Sequence, residues 1–306
     1  MNANVTMEPN PVPAIQVRGL TKSYGKVRAL RGIDLEVHRG EIFGFLGPNG
    51  AGKTTTIRCL LDNIRPDGGS AAIFGLDPQK DPVAVQAMVG YLPGEVQFYE
   101  NRTAEWQLRF FNEMRNRRAD WGFVRQLAGR LDLDLKQPIK NLSKGNKQKV
   151  AVIQALMHRP ELLILDEPTS GLDPLMQQEV HALLREAHAG GATIFFSSHI
   201  MSEVESIAAR VAIIRAGEII EVAETSSLTR RSLTRLTIRF KRPCDFSHLA
   251  RLPGIEILAQ ADQIGVSLQV TGDMERLVQA LGGMPVLDLE TERPSLEEVF
   301  LTYYQK

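Results

Sequence analysis

One stretch, "EIFGFLGPNGAGKTTTIR" (41–58), constrains the fold of this chain more than any other. After Glu41 its apolar run is unbroken, as in a strand buried on both faces. A loop with Gly47, Gly50 and Gly52 follows, and Lys53 opens a helical pattern. A strand that passes into a helix through so short a loop calls for a largely parallel sheet with helices packed on it. The spacing Gly47-x4-Gly52-Lys53-Thr54 is that of a phosphate-binding loop. Its glycines let backbone amides converge on a β-phosphate, Lys53 reaches the β/γ oxygens, and the Thr54 hydroxyl binds Mg²⁺. Gly47, Pro48, Asn49, Gly50, Ala51, Gly52, Lys53, Thr54 and Thr55 are therefore the candidate nucleotide-binding residues. A dinucleotide-binding turn would need G-x-G-x-x-G, and Lys53 stands where that pattern has no lysine.

Two later strands end in residues that such a loop needs. "LLILDEPTSGLDP" (162–174) is apolar up to Asp166 and Glu167, and Pro168 stops it. Asp166 suits water-mediated Mg²⁺ coordination, and Glu167 is placed to polarise an attacking water. In isolation a strand-end Asp-Glu pair commonly does no more than solvate a loop. "TIFFSSHIMSEVE" (193–205) brings a third buried strand to Ser198 and His199. A lone histidine is more often structural, but His199 falls where a γ-phosphate sensor is useful. The six histidines do not cluster in sequence, which argues against zinc. All three strands aim their residues at one carboxyl edge, where open α/β sheets bind ligands.

A second anion-binding pattern lies elsewhere. "LSKGNKQKVAVIQAL" (142–156) turns from loop to helix with Ser143 as a cap, Gly145 leaving the first turn bare, and Lys147 and Lys149 making it basic. Free amides at a helix start attract anions.

Around these motifs, Ile15 to about Ala216 alternates apolar runs with helical patterns. Residues 16–37 read as an antiparallel β portion beside the main sheet, and 174–191 as an amphipathic helix stopped by Gly190–Gly191. Between Pro93 and Pro160 the pattern is helical, with Trp106, Phe110 and Met114 at i, i+4, i+8; Trp106, Phe110 and Phe111 read as the core of that insertion. After the polar, basic stretch 225–235, a strand (236–240), helix (245–252), two strands (255–260, 264–270), helix (274–281), strand (285–290) and last helix (295–303) form a small βαββαβ module. With 36 Lys+Arg against 36 Asp+Glu the chain is neutral, so no nucleic-acid partner is expected. Cys59 and Cys244 lack metal-ligand spacing and fit a reducing compartment. No signal peptide and no run near the ~18 apolar residues of a membrane span are present.

In their order these motifs resemble the ATP-binding cassette (ABC) ATPases: Tyr24, the phosphate loop 47–54, the loop after "GYLP" (90–93), the signature 142–146, the acidic strand 162–166, "SGLD" (170–173) and His199. The match spans roughly residues 14–222. The resemblance implies a P-loop NTPase cassette of the α/β class, with a mixed sheet core, an antiparallel β portion and an α-helical insertion at about 95–160. Together with the patterns above, the expected division is a disordered lead-in at 1–13, the ATP-binding domain at 14–229 and an accessory α+β domain at 230–306. It implies MgATP hydrolysis with Lys53, Glu167 and His199 catalytic and Thr54 and Asp166 on Mg²⁺. It implies a head-to-tail dimer with a second copy or a homologous subunit, in which Ser143, Gly145 and Asn146 contact the γ-phosphate on the partner's phosphate loop, and Ser170 and Asp173 lie at the seam. Tyr24 either stacks on adenine or is a plain turn residue.

The signature departs from LSGGQ, reading Leu142-Ser143-Lys144-Gly145-Asn146, and Gly94 stands where a Mg²⁺-sensing Gln is usual, with Glu95 or Gln97 as substitutes or a weaker coupling signal. Phe98 and Tyr99 follow that position, either as core or as contacts to a membrane subunit. The tail "RPSLEEVFLTYYQ" (293–305) is similar to that of ATPases paired with small drug, antibiotic or polysaccharide export permeases. The expected function is thus the ATPase of an exporter, on the cytoplasmic face of a membrane, with its integral-membrane permease on another polypeptide. The alternative is a soluble ABC ATPase of translation, although those usually carry two cassettes.

Overall fold

A computed structural model describes residues 12–116, 119–227, 234–261, 263–270 and 274–292. Its contacts divide the chain into one unit up to Ala223 and a second from Glu224 onward. Most of the expected lead-in (1–11) and the helix expected over 295–303 lie outside the described residues. Within that lead-in, the Val12 carbonyl accepts a hydrogen bond from Arg39 Nε at 2.9 Å.

In the first unit, β1 (Ile15–Tyr24), β2 (Val27–Val37) and β4 (Gly68–Ile73) form an antiparallel sheet in the order β2-β1-β4. A six-stranded sheet holds β3 (Ile42–Leu46), β5 (Val89–Leu92), β6 (Leu162–Asp166), β7 (Thr193–Ser198), β8 (Arg210–Arg215) and β9 (Glu218–Glu224) in the order β5-β6-β7-β3-β8-β9. The pairs β5–β6, β6–β7, β7–β3 and β3–β8 are parallel. Leu46 pairs with Ser198 and Asp166 with Ser197, so β3, β6 and β7 end side by side. That register sets where the phosphate loop meets the acids.

Among the described residues the α-helices of this unit are α1 (Lys53–Leu60), α2 (Pro82–Met88), α3 (Ala104–Met114), α4 (Trp121–Arg130), α5 (Lys144–Leu156), α6 (Pro174–Ala189) and α7 (Met201–Ile207). The alternation along β3 explains how it is sandwiched. Phe43 and Phe45 point to one side, with the Phe195 ring 6.1 and 5.4 Å away, and are fully buried. Gly44 points to the other, where a Cβ would come within 2.6 Å of Val204 Cγ1 on α7. Each buried phenylalanine contributes ~1.5–3 kcal/mol of hydrophobic stabilisation, and the missing side chain of Gly44 lets α7 close on the sheet.

The helical region corrects one expectation. Trp106, Phe110 and Phe111 are not core but half-buried, and the buried face of α3 is Ala104, Gln107 and Leu108. Gln107 occupies the inner position because its amide is satisfied there: Oε1 accepts from the Tyr99 amide at 3.0 Å and Nε2 reaches Gln154 at 3.4 Å. The aromatics instead pack on one another at the surface. Trp106 stacks on Phe110 at 5.3 Å, and half-exposed Tyr99 sets its edge against both.

In the second unit, β10 (Thr234–Phe240), β11 (Ile255–Ala261), β12 (Gly265–Val270) and β13 (Val286–Glu292) form an antiparallel sheet in the order β11-β12-β10-β13, with helix α8 over Glu275–Leu281. Leu236, Ile238, Phe240, Val266, Leu268 and Val270 face a core shared with Phe246, Leu249, Leu277 and Leu281. The helix expected at 245–252 is a 3-10 turn over Ser247–Arg251. The Asp245 carboxylate accepts from the Ser247 amide at 2.8 Å, and the Leu249 amide bonds back to the Phe246 carbonyl, the i to i+3 closure of a 3-10 turn.

Candidate active site

The loop between β3 and α1 takes its shape from its glycines. Gly50 and Gly52 have φ of +80° and +115°, a region that side chains disfavour. A Cβ on Gly47 would lie 2.4 Å from the Ile214 carbonyl oxygen, so the loop is seated directly on β8. Gly52 caps α1 with no side-chain acceptor, leaving the helix's first amides turned towards the loop. That is an anion site by construction.

Lys53 is nearly buried, at 5% exposure. Its ammonium donates to the Gly47 carbonyl at 2.6 Å and the Pro48 carbonyl at 3.2 Å, and stands 3.8 Å from Glu167 Oε1. Burial pulls its pKa below the usual lysine value, and the neighbouring Glu167 and Asp166 partly counter that pull. A cation held by carbonyls at the mouth of the loop is ready for phosphate oxygens.

Asp166 ends β6 as a buried carboxylate with both oxygens engaged. Oδ2 accepts from the Thr54 hydroxyl at 2.7 Å, and Oδ1 accepts a short bond from the Ser197 hydroxyl. Thr54 and Asp166 thus meet across 112 residues of sequence. Hard oxygen donors side by side suit Mg²⁺, and the space beside them is kept open by Gly94, where a Cβ would fall 3.0 Å from Asp166 Oδ2. The residues fit the ion. Gly94 accordingly lies beside the Asp166 carboxylate, with no side chain of its own to offer.

Glu167 leaves the strand with φ +52°, and its amide donates to the Ser197 carbonyl and hydroxyl, each at 3.2 Å. Its Oε1 lies 3.0 Å from His199 Nδ1. Lys53, Thr54, Asp166, Glu167 and His199 therefore converge in one place. Ser143 does not join them: it caps α5, its hydroxyl accepting from the Asn146 amide at 3.2 Å. Gly145 sits where a Cβ would be 2.9 Å from the Gly171 carbonyl, and the methylenes of Lys144 lie along Gly171. Among the described residues, no hydrogen bond or ion pair joins Ser143, Gly145 or Asn146 to the loop 47–55. Ser170 donates its amide to the Glu167 carbonyl at 3.1 Å, and Asp173 caps α6 by accepting from the Leu175 and Met176 amides. Tyr24 is half-exposed at the end of β1, with Lys22 Nζ 5.9 Å from its ring centroid.

Three contributors escape a reading of the sequence. Ser197 orients Asp166. Gln148 donates through Nε2 to the carbonyls of Glu167 and Pro168 at 3.1 and 3.0 Å. Glu203, buried on α7, accepts from the Ser198 hydroxyl at 2.6 Å and makes a short bond with the Thr169 hydroxyl. Its one sequence signal is an acid a helical turn past His199.

A parallel sheet carrying a phosphate loop, a strand-end Asp-Glu pair and a histidine at one edge defines a P-loop nucleotide-hydrolysing domain. Comparison with known proteins narrows the class. Residues 30–170 match the family model described as ABC transporter. The chain is 33% identical to the daunorubicin resistance ATP-binding protein DrrA3 of Streptomyces coeruleorubidus, over 94% of this chain and 95% of that protein. It is 31% identical to the linearmycin resistance ATP-binding protein LnrL of Bacillus subtilis (strain 168), over 94% of this chain and 97% of that one. A solved structure of the ATP-binding subunit of an ABC transporter superposes with a TM-score of 0.64 at 29% identity, covering 71% of this chain and 92% of the other. The chain belongs to the ABC transporter ATP-binding proteins, and ATP binding and hydrolysis are that family's chemistry.

Proposed function

We propose that this chain powers the export of a drug- or antibiotic-like compound through a permease on a separate polypeptide, by hydrolysing MgATP between two copies arranged head to tail. The observation that carries the hydrolytic part is the convergence of Lys53, Thr54, Asp166, Glu167 and His199 at one sheet edge. In this reading Thr54 and Asp166 hold Mg²⁺, which when bound neutralises charge on the β- and γ-phosphate oxygens. Lys53 and His199 stabilise the charge that spreads over the γ-phosphate, and Glu167 polarises the attacking water. Ser143, Gly145 and Asn146 face a partner's nucleotide, with Ser170 and Asp173 at the seam. Exposure of Ser143 and its separation from the chain's own loop support that assignment. Adenine would lie on exposed Tyr24.

The exporter reading takes its support from the relatives named above, both resistance proteins matched over nearly their whole lengths. Neither speaks for a role in translation. Among the described residues no helix is long and apolar enough to cross a membrane, which fits attachment to the cytoplasmic face through a permease. The domain division in this proposal is an ATP-binding part at 14–229 and an accessory part at 230–306.

Glu167→Gln tests the mechanism. The variant should bind ATP, hydrolyse it at least 100-fold more slowly and run as a dimer by light scattering when ATP is present. Normal turnover, or a monomer at saturating ATP, would overturn it. Copurification of a hydrophobic permease, rather than ribosomes, tests the cellular role.

A further inference from the structure

The beginning of α5 is fastened to the loop that follows β6. Gly145 packs within contact of the Gly171 carbonyl, and the stem of Lys144 covers Gly171. One turn further on, half-buried Gln148 donates to two successive main-chain carbonyls, those of Glu167 and Pro168, at 3.1 and 3.0 Å. Glu167 is a non-glycine residue with φ +52°, so its backbone keeps that angle only where neighbours impose it. From the β7 side, Ser197 accepts from its amide. From the α5 side, Gln148 donates to its carbonyl, which also accepts from the Ser170 amide at 3.1 Å. The carboxylate is thereby aimed beside His199 and Lys53 by a clamp with two jaws.

The chemistry of the second jaw is specific. Two converging carbonyl oxygens need N–H donors and no acceptor. A neutral amide meets that need without a half-buried charge, whereas a carboxylate would repel both oxygens and an aliphatic side chain would take this donor from the Pro168 carbonyl and leave the Glu167 carbonyl to the Ser170 amide alone.

We propose that Gln148 is a positioning residue that fixes Glu167, and that it makes α5 the link between the two nucleotide sites. Its own chain's general base hangs from the middle of the helix, while the cap of the same helix, Ser143, serves the site of a second copy. That link rests on the head-to-tail reading above. Seating Ser143 on the partner's nucleotide shifts α5, and Gln148 passes the shift to Glu167, so each site fires only when the other is filled.

Full-length Gln148→Leu, close in volume and without donors, is the test. Its kcat should fall about 10- to 100-fold, the loss expected for two hydrogen bonds, with KM for ATP changed less than about threefold. The ATP dependence of the parent should be cooperative, with a Hill coefficient above one, and that of Gln148→Leu should drop towards one; a parent without cooperativity refutes the link between sites. The double variant Gln148→Leu/Glu167→Gln should still form the ATP-dependent dimer, since binding does not need the clamp. A kcat within twofold of the parent, or loss of the dimer in the double variant, overturns the proposal. If kcat falls while cooperativity stays, the link between sites is refuted and the hold on Glu167 stands. If Glu167→Gln alone stays monomeric with ATP, the head-to-tail reading fails and the link with it, whereas the fall in kcat still upholds the clamp. Should Gln148→Leu not fold, Gln148→Glu carries the same expectation, and failure of both to fold shows a merely structural residue.

Discussion

Glu203 is a buried carboxylate without a role in the chemistry itself, which makes its removal informative. It is 7% exposed and accepts from the hydroxyls of Ser198 and Thr169, tying the residue before His199 to the loop two residues after Glu167. In Glu203→Ala both hydroxyls lose a charged acceptor. Hydrogen bonds to charged groups contribute about 1.5–3 kcal/mol each. Deleting the carboxylate also removes the cost of burying it, so the lower end of the sum applies, about 3 kcal/mol. For a unit of 150–250 residues, 1 kcal/mol moves Tm by about 2–4 °C. The expected fall is thus about 6–12 °C in the melting of the first unit, followed by differential scanning calorimetry on the full chain. Glu203→Gln retains one acceptor and one donor and should lose about 1 kcal/mol. The same alanine variant should lower ATPase activity through misplacement of His199. A melting temperature within 2 °C of the parent would show that the three groups share no energetically coupled network, and the reasoning would fail.

Two further outcomes test the phosphate loop and the core. Gly47→Ala would put a methyl 2.4 Å from the Ile214 carbonyl oxygen, a main-chain atom that cannot step aside; overpacking of ~1–3 kcal/mol should cut affinity for a fluorescent ATP analogue by about tenfold or more, and parental affinity would contradict the seating of the loop on β8. Burial pushes the Cys59 thiol up to about 11, so at pH 8 it stays protonated in the folded chain. Iodoacetamide at that pH should modify the part-exposed Cys244 and reach Cys59 only after denaturant is added; equal labelling of both in the native chain would refute the buried setting of α1.

The corrections share a cause. Trp106 and Phe110 are spaced for one face of a helix, and the hydrophobic pattern alone assigns that face to the core. The polar Gln107 wins the inner position because a partner amide and Gln154 await it there, a fact about neighbours 8 and 47 positions away in sequence. Gly94 is similar. As a letter it is only a missing glutamine; in space it is the gap over Asp166.

What the sequence by itself determined is the chemistry written in contiguous spacing. The phosphate loop, the strand-end acids and the histidine are each a run of a few residues whose backbone geometry is local, so the roles proposed for them follow from order and type. What only the tertiary structure decided is which of these runs touch. Strand order β6-β7-β3 brings Thr54 to Asp166 and Glu203 to Thr169, and the packing of α5 brings Gln148 to Glu167. Hydrogen bonds reach only about 3 Å, so such pairings depend on register and packing rather than on spacing along the chain.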